Sequence, residues 1–169
     1  MMRKIAYTIA VLACFAVLVS GCGRGQGKDE NSEYGRFQEL AEQYVEQELR
    51  LASLDSVRVV KVDTVDNYEY AQIIVALLYK MNDETMEEYH RAVVSGDMAE
   101  AKNLEVQVDE IAAAGQQWEM EEQAAENAPK SFRFYLITAN YYNGMDCDQF
   151  YFFATQDFKI HIPDPFEEL

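Results

Sequence analysis

Bases are scarce in this chain. Lysine and arginine number 14 against 30 aspartates and glutamates, giving a net charge of −16. Nucleic-acid binding needs clustered Lys and Arg to displace counterions from phosphates, and no such cluster occurs, so nucleic acid is excluded as a partner. Histidine is rarer still. His90 and His161 lie far apart in sequence and lack the H-E-x-x-H spacing of a zinc site, so both are expected as surface or interface residues. There is no G-x-S-x-G elbow, Walker loop or Rossmann glycine pattern. Carboxylates are too abundant for any acid–base pair to stand out. No catalytic residues, metal or cofactor are therefore expected, and a non-catalytic role is favoured. Asp146, Asp148 and Asn143 gather oxygens in one short stretch, but the D-x-D-x-D-G calcium loop is missing, which leaves them to turn chemistry. Long apolar runs are absent too. The longest, "IAYTIAVLACFAVLV" at residues 5–19, falls short of the roughly 20 residues that span a bilayer.

That run has its own meaning. Arg3 and Lys4 precede it, Ser20 and Gly21 follow, and Gly23, Gly25 and Gly27 then break any helix. A basic start, an apolar core and a small-residue end describe a secretory signal. Val19-Ser20-Gly21-Cys22 also resembles the lipobox of bacterial lipoproteins. That resemblance implies cleavage before Cys22 and acyl chains on its sulfur and new amino terminus; a plain secretory signal or an uncleaved anchor is the alternative. One acyl chain holds a protein only marginally, whereas two or three hold it firmly, at about 0.8 kcal/mol per buried methylene. Gly23 stands where an aspartate is linked to inner-membrane retention in enteric bacteria. Lys28-Asp29-Glu30 resembles the short signal that sends lipoproteins to the surface in Bacteroidetes. The expected address is the outer membrane, facing the periplasm or the exterior.

Residues 1–21 thus read as signal, 22–31 as lipidated tether and 32–169 as one domain. Cys14 leaves with the signal and Cys22 takes lipid, so Cys147 has no intramolecular partner. It is expected as a small residue in a strand hairpin. Arg3 and Lys4 are the only charges before Cys22, so the part after the cut carries −18. Such a charge repels anionic headgroups and stands the domain off the membrane.

Asn31 and Ser32 are both able to cap a first helix reaching about Ala52, with Phe37, Leu40, Ala41, Tyr44, Val45 and Leu51 on one side. "SVRVVKVD" at residues 56–63 reads as a strand whose alternation slips at Val59-Val60, the mark of a bulge or of two apolar faces. "YAQIIVALLYK" at residues 70–80 reads as the second strand on its β-branched Ile73, Ile74 and Val75, with a helix as rival. Helices are expected from Asn82 or Asp83 to Val94 and from Asp97 to just before Pro129, with a possible break at Gly115. Strands return at residues 131–142 and 147–155, with a short edge strand near residues 158–162. The fold class is α+β: an N-terminal helix, an antiparallel sheet of four to five strands, and a helical hairpin (residues 82–128) inserted between strands 2 and 3. The inferred topology resembles cystatin-like and nuclear-transport-factor-like folds. Both faces of the sheet are apolar and need covers.

Two features suggest function. Between Asp83 and Glu126 there are thirteen acids and two bases, and Glu119, Glu121, Glu122 and Glu126 have no base among them. This stretch is either a solvated face or an acidic arm for a basic protein partner. The last strands crowd aromatics; Tyr135, Tyr141, Tyr142 and Tyr151 are core or, if one face is open, a patch for sugars or another protein. A single Trp weakens the glycan version. The sequence thus favours a lipid-anchored protein-binding or assembly module; the alternative is a ligand-binding or enzymatic domain with a pocket between sheet and helices.

Overall fold

The computed structural model describes residues 33–49, 55–143 and 146–167. The expected signal, Cys22, the expected tether and the expected turn at Gly144 lie outside them, as do Asn31, Ser32, Leu51 and Ala52. The described chain is α+β, with a four-stranded antiparallel sheet in the order β1-β2-β3-β4. In sequence the elements are α1 (Glu33–Tyr44) with a π-helical turn (Val45–Leu49), β1 (Ser56–Asp66), α2 (Asn67–Ser95), α3 (Met98–Glu126), β2 (Phe132–Asn143), β3 (Asp146–Ala154) and β4 (Ile160–His161). They form two compact units. One takes the chain up to Thr64 with Phe134–Ile162; the other takes Val65–Arg133 and the segment from Pro163.

In the first unit α1 lies on one face of the sheet. Its Phe37, Leu40, Ala41, Tyr44 and Val45 recur at helical spacing and bury against Val57, Val59, Ile137, Ala139, Phe150 and Phe152. The β2–β3 register sets small residues opposite large ones, Ala139 against Phe150 and Ala154 against Tyr135, so the face is level enough for a helix. Tyr44 stacks on Phe152 with ring centroids 4.7 Å apart. The helix also closes the outer edge of β1. Gln38 donates its amide to the carbonyl of Val57 (2.9 Å) and accepts from the N–H of Val59 (3.0 Å), while the Tyr34 hydroxyl donates to the Val59 carbonyl. Two side chains thereby occupy backbone groups that an edge strand otherwise offers to another chain. The inward set of β1 runs Val57, Val59, then Val62, a one-residue slip at the doubled valine. On the opposite face Thr138 and Phe153 are buried, and Phe134 stacks on His161 at 4.1 Å.

The second unit is a helical hairpin. Asp66 caps α2: its carboxylate accepts from the N–H of Glu69 (2.9 Å), and Glu69 accepts from the N–H of Asp66 (3.0 Å). Each helix has 29 residues and is about 43 Å long at 1.5 Å per residue. Ala71, Ile74, Leu78, Met81, Thr85 and Ala92 follow the 3-4 spacing of a coiled-coil seam, and Ala101, Leu104, Ile111 and Trp118 face them. Gly96, at φ 80°, reverses the chain in the left-handed conformation, and Asp97 caps α3 by accepting from the N–H of Glu100.

Residues 70–80, expected as the second strand, are therefore helical. The capping box at Asp66 starts a helix, and Tyr70, Ile74, Leu77, Leu78 and Met81 share one buried side at a 3.6-residue period. No helix begins at Asn82, since α2 runs straight through it, and Gly115 does not interrupt α3. The hairpin thus occupies residues 67–126 and enters the sheet between its first and second strands, not its second and third.

Candidate functional site

The acidic character expected of the hairpin is written over both helices. Residues 67–126 hold fourteen acids and three bases. Two of those bases pair along their own helix, Lys80 with Glu84 (3.5 Å) and Arg91 with Glu88 (3.8 Å). The Glu119, Glu121, Glu122 and Glu126 group is divided by the helix. Glu119, Glu122 and Glu126 follow a three- and four-residue spacing on one side, while Glu121 points to the other. Glu119 and Glu122 are half-buried and Glu121 and Glu126 exposed. Glu119 accepts a hydrogen bond from the hydroxyl of Tyr79 on α2. That carboxylate, with Glu122 nearby, raises the Tyr79 pKa above the ordinary tyrosine value. Tyr79 was not expected here, because its segment reads as strand in sequence; the helical spacing of Tyr79, Met86 and Val93 is the signal that finds it.

The four tyrosines do not form one patch. Pairing of Thr138 with Tyr151 and of Ala139 with Phe150 sends Tyr135 and Tyr141 to the α1 side and Tyr142 and Tyr151 to the other. Tyr135 and Tyr141 pack against the core, with Tyr135 edge-on to Phe37 at 5.0 Å. Tyr141 donates to Asp148 (3.0 Å), and Tyr151 to Gln149. Cys147 is an exposed free thiol. His90 lies beside the Tyr89 ring. Among the described residues no group of three or more His, Cys, Asp or Glu is placed to hold a metal ion, and no helix is long and apolar enough to cross a membrane.

A second locus was not visible in sequence. Gln43, Gln47, Glu48, Phe158, Lys159 and Ile160 line a cleft of about 400 Å³ in the first unit. Two unusual backbone features meet there. Gln47 and Glu48 belong to the π-helical turn, and Phe158 has φ 58°, a left-handed conformation rare for an aromatic residue. The turn is held by hydrogen bonds from Phe158 N–H to the Thr155 carbonyl (3.0 Å) and from Thr155 N–H to the Lys159 carbonyl (2.9 Å). The Phe158 ring packs on Phe37 at 5.1 Å and lies under the Arg36 guanidinium at 3.5 Å. Strained backbone persists only where surrounding packing enforces it, and it gathers at ligand clamps.

No protein family, no curated protein and no solved structure matches this chain.

Proposed function

We propose that this is a lipid-anchored protein of the bacterial outer membrane, held through Cys22, whose acidic hairpin docks a basic protein partner without catalysis. The carrying observation is the hairpin's fourteen acids against three bases, two of which are paired within their own helix. Such a field speeds encounter with a basic surface and discriminates against acidic ones. Outside the seam much of the surface of both helices is exposed. For the anchor, Cys22→Ala should release the protein from membranes, and intact mass of the native protein should include acyl chains; a native mass with no acyl groups removes the proposed address. Protease added to whole cells separates surface from periplasmic display. For docking, glutamine at Glu119, Glu121, Glu122 and Glu126 should weaken partner capture at low salt. Unchanged capture sinks the reading.

A small polar ligand in the Gln43–Phe158 cleft is the second reading, favoured by the meeting there of the π turn and the left-handed Phe158. Ligand-induced chemical-shift changes confined to Gln43, Gln47 and Lys159 would support it.

A further inference from the structure

A two-helix hairpin has one seam and two faces, and in this one the faces differ. One carries Lys80, Glu84 and Arg91 from α2 with Asn103, Gln107 and Glu110 from α3. The other carries Tyr79, Met86 and Val93 on α2, seven residues apart, and Met98, Glu105, Ala112 and Glu119 on α3, also seven apart. The Tyr79–Glu119 hydrogen bond ties both rows to the same face. Apolar side chains are left in solvent here: Tyr79 is 59% exposed, Val93 41% and Met98 65%.

We infer that this face seats a basic amphipathic helix of the docking partner, lying along the hairpin as a third coiled-coil strand. The inference rests on the docking reading above and names what is recognised. Heptad spacing in both rows matches a helix better than a strand, whose side chains repeat every second residue. The apolar side of that helix meets Tyr79, Met86, Val93 and Met98, while its Lys or Arg residues reach Glu105 and Glu119. Charge selects the occupant. A second copy of this hairpin would carry the same fourteen acids against three bases, so two like-charged bodies would meet and self-association is disfavoured.

The probe is a 21-residue peptide of leucine and lysine in heptad order, offered to the detergent-solubilised full-length protein beside a scrambled peptide of the same composition and a leucine–glutamate analogue. The heptad lysine peptide should bind about tenfold more tightly than the scrambled one and gain helicity. The Val93→Lys, Met98→Lys pair should remove that advantage, whereas Val94→Lys with Val106→Lys, equal in charge and exposed elsewhere, should keep it. Circular dichroism of each variant verifies the fold. Equal binding of heptad and scrambled peptides, or equal losses in both variant pairs, overturns the helix-binding face while charge docking survives. Binding of the glutamate analogue as tightly as the lysine peptide also overturns it. Failure of both lysine peptides to bind at low salt removes the docking reading and this inference together.

Discussion

The hydroxyl of Tyr79 on α2 donates to the carboxylate of Glu119 on α3, forty residues away in sequence. The bond needs the phenol protonated, so the folded protein holds that proton more tightly than the unfolded chain does. Its contribution to stability is full below the ordinary tyrosine pKa and is lost as pH rises through the raised one. In an ultraviolet titration one late-ionising tyrosine should vanish in Tyr79→Phe and ionise earlier in Glu119→Gln. A wild-type titration identical to that of Glu119→Gln would contradict the coupling.

Asp66 works in the opposite direction. The backbone N–H of Glu69, and then Lys130, whose ammonium lies 3.2 Å from the carboxylate, hold its pKa below the usual aspartate value. That stability is present above the unfolded pKa and is lost as pH falls through the lowered one. Asp66→Ala should cost about 1 kcal/mol near neutral pH by urea denaturation, with the deficit shrinking in acid. Asp66→Asn should keep most of the cap and lose the ion pair.

At Phe158 the test is a difference between two variants. Both Phe158→Ala and Phe158→Gly lose the contacts with Phe37 and Arg36. Only glycine takes φ 58° without penalty, so Phe158→Gly should be more stable than Phe158→Ala by about 1 kcal/mol. Equal melting temperatures would mean that this turn stores no strain.

Trp118 is the chain's only tryptophan, buried in the hairpin seam, and its indole N–H donates to the Pro165 carbonyl at 2.9 Å. Trp118→Phe leaves that buried carbonyl without its donor and should destabilise by about 1–3 kcal/mol. Wild-type fluorescence should shift to the red when the segment from Pro163 is removed. An unshifted spectrum would show that the segment does not shield the indole.

Most of the sheet, but not all of it, was legible from residues alone. Paired aromatic runs around Asn143 placed β2 and β3 to within one residue at each end, while β-branching in residues 56–63 placed the start of β1, which runs three residues further to Asp66. Residues 70–80 were not legible in the same way. Ile73, Ile74 and Val75 favour a strand locally, and what overrules them is the capping box at Asp66 together with the apolar period that the α3 seam buries. One misread segment hid the site. With Tyr79 placed in a sheet, Glu119 stood out only as one of four acids without a base and could not be joined to its partner. The division of the tyrosines was, by contrast, available from parity, since residues 141 and 142 of one strand must face opposite ways. Nothing in the sequence marks Phe158, because glycine or asparagine is the usual sign of a left-handed turn.

The hairpin begins and ends at one spot. Asp66 pairs with Lys130, and the Asn67 amide donates to the Ser131 hydroxyl at 2.7 Å, while β1 and β2 are neighbours in the sheet. A two-residue Asn-Gly link could therefore join those strands directly. Replacing the hairpin with such a link should leave the strand order β1-β2-β3-β4 unchanged.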